Sequence, residues 1–128
     1  MEYRLYLLRV FTTRWDEALA FYRDTLQWPL EYADESLGWA QFRLGDCDIG
    51  LERCDPDHPE TAELVGRFVG CSIEVDDVQT AYAELSAGGV EFVEPPEQQP
   101  WGGVLAHFRD PDGNVLTLLG SPQGSEPA

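Results

Sequence analysis

The sequence contains no lysine: its eight basic residues are all arginine, set against 24 aspartates and glutamates. The formal net charge of −16 produces a field that repels nucleic acid and anionic membranes and attracts cations. No basic stripe is present to follow a phosphate backbone. Cysteine is scarce. Cys47, Cys54 and Cys71 form an odd set without CxxC spacing, which argues against both a disulfide framework and a zinc site. No apolar run approaches bilayer length, and the stretch Met1 to Leu8 is too short and too charged for a secretory signal. The chain therefore reads as cytoplasmic. Two further signatures are missing. Gly88-Gly89 and Gly102-Gly103 lack the context of a phosphate-binding loop, and no serine nucleophile elbow occurs. The acidity itself has three readings: a solvated acidic surface, attraction of a cationic ligand, or an interaction tail. Dispersal of the acids disfavours the last.

What is present is a repeat. Trp15, Ala18, Leu19 and Tyr22 fall at i, i+3, i+4 and i+7, one stripe of an amphipathic helix. Val78, Ala81, Tyr82 and Leu85 repeat the stripe at a constant offset of 63 (78 − 15 and 85 − 22). Thr13 with Asp16, and Asp76 with Gln79, read as helix starts of the capping-box type; Gly88-Gly89 ends the second helix. Before the helices, Leu7 to Phe11 matches Gly70 to Glu74. After them, Phe42-Arg43 matches Phe108-Arg109 at an offset of 66, so the second half carries a small insertion.

Each half thus reads strand, helix, strand, strand, strand. Strands are expected near 3–11, 29–34, 38–44 and 47–52, then near 68–75, 90–94, 103–109 and 114–119. Helices are expected near 14–26 and 77–87, with a helical turn within 60–65. Module one spans 3–52, a Pro-containing linker spans 53–67, and module two spans 68–120, all in one domain of residues 1–120. Pro95 to Trp101 reads as a polar loop, and 121–128, rich in Gly, Ser and Pro, as a disordered tail. Asp110-Pro111-Asp112-Gly113-Asn114 is a hairpin turn; it lacks the ligand spacing of a calcium loop. The fold class is α+β: two βαβββ modules forming a curled mixed sheet around a central cleft, with a helix on each outer face. Such a cleft is the default binding site.

At this point the chain resembles the vicinal oxygen chelate superfamily, which includes glyoxalase I, bleomycin-resistance proteins and extradiol dioxygenases. The resemblance rests on Ala20-Phe21-Tyr22-Arg23-Asp24-Thr25-Leu26, on Val75-Asp76-Asp77-Val78, on Pro100-Trp101-Gly102-Gly103 and on Phe108 to Asn114. It implies paired βαβββ modules, a homodimer in many members, and modules exchanged between chains in some. Enzymes of the family hold a divalent metal through His, Glu or Gln on the first and last strand of each module. Carried onto this sequence, those positions are Leu7, Gly50, Gly70 and Thr117, none of them a good donor. Glu52 lies two residues from Gly50 on the same face, but one carboxylate does not hold a metal. The expectation is therefore no metal and no other cofactor.

Strand alternation places the candidate ligand-binding residues. Leu5, Leu7, Arg9 and Phe11 share the inward face with Gly70, Ser72 and Glu74. Tyr6, Leu8, Val10, Cys71, Ile73 and Val75 pack under the helices. Arg9, Trp39, Gln41, Glu52, Glu74, Trp101 and His107 are the candidates for ligand contact. Arg9 and Glu74 are expected to neutralise one another as a pair. Trp101 either stacks on a ligand or staples its loop to the sheet. His107 and Glu74 are the acid–base candidates, and His58 is a surface-loop residue. The first functional expectation is a metal-free small-molecule-binding protein, with drug sequestration of the bleomycin-resistance type, and so a small organic cation as ligand, as its specific form. The alternative is a lyase, isomerase or dioxygenase using a divalent metal or a His/Glu site; a partner-binding domain using the acidic surface is a third.

Overall fold

The computed structural model describes residues 1–121; the reading of the tail falls, Ser121 apart, outside them. The elements run β1 (Leu7–Thr12), α1 (Trp15–Ala20, continuing as a π-helical turn over Phe21–Thr25), β2 (Leu30–Asp34), β3 (Trp39–Leu44), β4 (Cys47–Arg53) and α2 (Thr61–Leu64). They continue with β5 (Phe68–Glu74), α3 (Val78–Ala87), β6 (Glu91–Phe92), β7 (Glu97–Gln98), β8 (Val104–Arg109) and β9 (Val115–Gly120).

Two sheets repeat one plan. The first has the order β1-β4-β3-β2; the second has the order β5-β9-β8-β6, with β7 also paired to β8. In both, the opening strand lies parallel to the closing strand and the rest is antiparallel. This is the duplication that the 63-residue offset implied. Contacts divide the chain into two compact units: Met1–Arg67 together with Pro111–Gly113, and Phe68–Asp110 together with Asn114 onward.

Each sheet buries one face under its own helix. In the first, Val10, Ile49, Leu51, Ala40 and Phe42 are at most 5% exposed, and Tyr22 of the helix is 0% exposed with its ring 5.9 Å from that of Phe42. In the second, Leu116, Leu118, Ala106 and Phe108 are buried, while Tyr82 of α3 meets Phe92 edge-on at 4.8 Å. The helical stripe and the strand alternation converge on these two apolar layers. Tyr6, expected under the helix, is instead 62% exposed, because the strand begins only at Leu7.

Two helix starts differ from expectation. Asp77, not Asp76, caps α3, its side chain accepting from Thr80 N at 3.2 Å. Arg14, not Thr13, occupies the N-cap of α1, with no side-chain cap bond. Thr12 supplies the acceptor there, its hydroxyl taking Arg14 N–H at 2.9 Å. Asp112 fixes this corner of the first unit: its carboxylate accepts from the Thr12 hydroxyl, from Thr13 N at 2.8 Å and from the Thr13 hydroxyl at 3.0 Å. Asp112→Ala removes these bonds and should destabilise the protein by about 2 kcal/mol. A thermal melt checks this; an unchanged midpoint would show that water replaces the carboxylate without loss.

Candidate functional site

The face of the first sheet that turns away from its helix is read from the register. Arg9 stands opposite Gly50, which pairs with Gln41; Phe11 stands opposite Glu52, which pairs with Trp39. The sequence thus placed Arg9, Gln41, Glu52 and Trp39 on one face correctly. Their roles differ from expectation. Arg9 pairs with Glu52 at 3.3 Å, not with Glu74, and both side chains are substantially exposed (57% and 36%), so the pair contributes little stability. Arg9 also lies over the Phe11 ring at 5.3 Å. Gln41 is only 4% exposed and spends its amide on Tyr6 and Asp48, which makes it a structural residue.

The four positions at which the resemblance implies metal ligands can be tested against this geometry. At Gly50 the indole of Trp39 lies across the backbone: a Cβ there would meet Cζ2 at 2.7 Å and Cη2 closer still. Gly70 has φ +80°, a conformation that side-chain-bearing residues avoid, at an irregularity in the pairing of β5 with β9. Leu7 offers no donor. Thr117 is buried and its hydroxyl is engaged with His107 Nδ1 at 2.7 Å. Among the described residues no group of three His, Cys, Asp or Glu side chains is placed to hold a metal. These residues do not fit a divalent ion.

On the second module Glu74 and Trp101 come together. With Leu119 they line an open groove of about 440 Å³. Glu74 stands at the end of β5 opposite Leu119 and, among the described residues, has no ion-pair partner. The Pro-containing segment leading to Trp101 is held by the two-residue strand β7, which pairs Glu97 with Leu105 and Gln98 with Val104. This strand lies inside what read as a loop. Gln99 N donates to Gly103 O at 2.7 Å and Gly102 N to Gln99 O at 2.9 Å, closing the turn. The Trp101 ring rests on Gly103, whose Cβ, if present, would stand 3.0 Å from Cε3 and closer to the ring edge. Trp101 is still 65% exposed. It therefore staples its turn and presents an open aromatic surface at once.

His107 belongs elsewhere. It lines a smaller pocket of about 230 Å³ with Glu94, Glu97 and Gln99, and its ring meets Phe68 edge-on at 5.5 Å. The hydroxyl of Thr117 orients the imidazole without adding charge, unlike the carboxylate of a catalytic dyad. Glu74 thus lines the groove of Trp101, and His107 lines the smaller pocket. Cys54 is no better a nucleophile. Burial, reinforced by the charges of Asp112, Glu52 and Asp55 against a lowering hydrogen bond from Thr61, pushes its thiol up, away from the reactive thiolate. His58 is an exposed loop residue whose Nδ1 accepts from Glu60 N at 3.2 Å.

Two βαβββ modules, each with its first strand parallel to its last, define the glyoxalase-like class of α+β domain. The chain belongs to the Glyoxalase/Bleomycin resistance protein/Dioxygenase superfamily, whose model matches residues 4–118. A bleomycin resistance protein of Klebsiella pneumoniae is 29% identical over 111 residues, covering 81% of this chain and 82% of that protein. The uncharacterized Bacillus subtilis protein YraH is 27% identical over 128 residues, covering 90% of this chain and 96% of that one. Among solved structures, TnmS3, an antibiotic binding protein from Streptomyces sp. CB03234, superposes with a TM-score of 0.75 at 28% identity, covering 94% of this chain and 98% of its own. No helix among the described residues is long and apolar enough to cross a membrane.

Proposed function

We propose that this chain is a cytoplasmic, homodimeric, metal-free binding protein that sequesters a small organic cation in the groove of Glu74 and Trp101. The observation that carries the reading is that groove: an exposed indole seated on Gly103 beside a carboxylate that has no ion-pair partner among the described residues. An aromatic face and an adjacent carboxylate attract a flat cation by stacking, cation–π and Coulomb terms together. The chain charge of −16 concentrates cations near any such groove. The filled or strained donor positions at Gly50 and Gly70 support binding without a metal, and the names of the Klebsiella and Streptomyces relatives support an antibiotic as the ligand class.

The test is a titration of tryptophan fluorescence with metal-free bleomycin and a panel of planar organic cations. Saturable quenching is expected, weakening as salt is raised. Trp101→Phe should remove most of the quench. Glu74→Gln should lower affinity by about ten-fold, the equivalent of about 1.4 kcal/mol. Absence of quenching by every cation would sink the sequestration reading. A stoichiometric divalent metal in protein purified without chelators would replace it with the lyase or dioxygenase reading.

A further inference from the structure

The first module holds another pocket, which the groove of Glu74 and Trp101 does not involve. It opens beside the β3–β4 turn, has a volume of about 410 Å³, and is lined by Arg4, Leu5, Tyr6, Arg43, Asp46 and Asp48. Its charge is unlike that of the chain. Two of the eight arginines meet two carboxylates there, so the lining is formally neutral in a protein of net charge −16.

The wall of this pocket is built from beneath. Buried Gln41 donates from its single amide nitrogen to Tyr6 Oη at 3.2 Å and to Asp48 Oδ2 at 2.7 Å. A primary amide has two hydrogens to give, so both are committed to fixing these two side chains. Among the described residues, the Tyr6 O–H has no acceptor and the other Asp48 oxygen no side-chain donor. Arg43, the cross-strand partner of Asp48, is anchored through one nitrogen to Glu31 Oε1 at 2.7 Å, and its remaining donors lie outside that bond. Arg4 makes no ion pair among the described residues. Leu5 and Tyr6, 69% and 62% exposed, add apolar surface.

We propose that this pocket binds a small zwitterion of the α-amino-acid type. The carboxylate meets Arg4 and Arg43, the ammonium meets Asp46 and Asp48, and an apolar side chain covers Leu5 and the Tyr6 ring. A ligand of one charge is disfavoured whichever its sign, since either pair of like-charged wall residues opposes it. The site uses only first-module residues, so its fate is independent of the cation-binding reading.

Amide NMR of the full chain tests it, with three probes of one shape: L-phenylalanine, N-acetyl-L-phenylalanine and L-phenylalaninamide. The zwitterion is expected to shift the Gly45, Asp46 and Asp48 amides saturably, and each singly charged analogue to bind at least about ten-fold more weakly. Arg4→Gln and Asp46→Asn, both at exposed positions, should each weaken L-phenylalanine by about ten-fold at unchanged melting temperature. Equal binding of the three probes overturns the proposal, as does a shift without saturation. It is equally overturned if these amides move with protein concentration alone, which would make the face an interface between copies of this chain. Shifts confined to the Trp101 turn would place the ligand in the other groove and also refute this site.

Discussion

Asp110→Ala is expected to lower the melting temperature by roughly 10 °C, more than removal of any surface ion pair. The Asp110 carboxylate is 5% exposed and Asn114 is 0% exposed. One carboxylate oxygen accepts from Asn114 N and the other from Asn114 Nδ2, both at 2.9 Å, while Asp110 N donates to Asn114 O at 2.9 Å. The alanine variant removes the carboxylate that accepts from a buried backbone donor and from a buried side-chain donor. Each such loss costs about 1–3 kcal/mol, and bonds to a charged acceptor sit at the upper end. A total of about 3–4 kcal/mol follows. Asp110→Asn keeps a single acceptor oxygen and should fall between wild type and alanine. The turn matters to function because β9, which follows it, carries Leu119 of the proposed groove. A calorimetric midpoint for Asp110→Ala within error of wild type would show that this buried exchange of bonds does not hold the hairpin.

The sequence carried the plan of the fold because its apolar periodicity is strong where it counts. Trp15, Ala18 and Tyr22 are buried as the helical stripe required, and Val78 is buried at the equivalent place in the second half. The turn at Asp110 to Asn114 was legible from Pro111 and Gly113, the latter at φ +82°. Ends of elements were less so, for physical reasons. The alternation of Tyr3, Leu5 and Leu7 suggests a strand from residue 3. Its partner β4 begins at Cys47, however, and the last bond at that end runs from Asp48 N to Tyr6 O at 3.4 Å. A strand ends where its partner ends, and the length of the partner is not a local property. Asp76 and Asp77 both qualify as caps by residue type; extended backbone at Asp77 (φ −140°, ψ 106°) selects it. Prolines 95 and 96 concealed β7, which forms immediately after them.

Site geometry was partly legible in the same sense. Alternation put Arg9, Trp39, Gln41 and Glu52 on one face, and the register agrees. Which of them would be consumed by the protein itself depended on diagonal neighbours. Arg9 reaches Glu52 on the adjacent strand, and Gln41 reaches Tyr6, a contact between side chains 35 positions apart. Glu74 and Trp101 were each named as candidates, yet their meeting in one groove depends on how the β7 turn is pinned, which no local pattern reports.

Gly50→His is the variant that separates a lost metal site from a rebuilt one. If the first module merely lacks a donor, histidine at position 50 should be accommodated at little cost. The structure says otherwise. Any Cβ at Gly50 enters the space of the Trp39 indole, 2.7 Å from Cζ2 and closer to Cη2, and a flat ring packed on backbone has no small adjustment that clears it. Overpacking of this kind costs about 1–3 kcal/mol where the surroundings shift, and displacing a half-buried indole adds loss of its contacts. The single variant should therefore melt well below wild type. Trp39→Ala in the same chain should recover part of that loss, the non-additivity that marks two residues competing for one space. Neither variant should retain zinc after dialysis. Leu7, Gly70 and Thr117 still supply no donor, and a lone imidazole, or an imidazole with Glu52, falls short of the three protein ligands of a catalytic zinc site. An unchanged melting point for Gly50→His would mean that Trp39 swings aside freely and is no fixed part of the wall. Stoichiometric zinc in the single variant would mean that the remaining donors were in place all along, with one side chain missing.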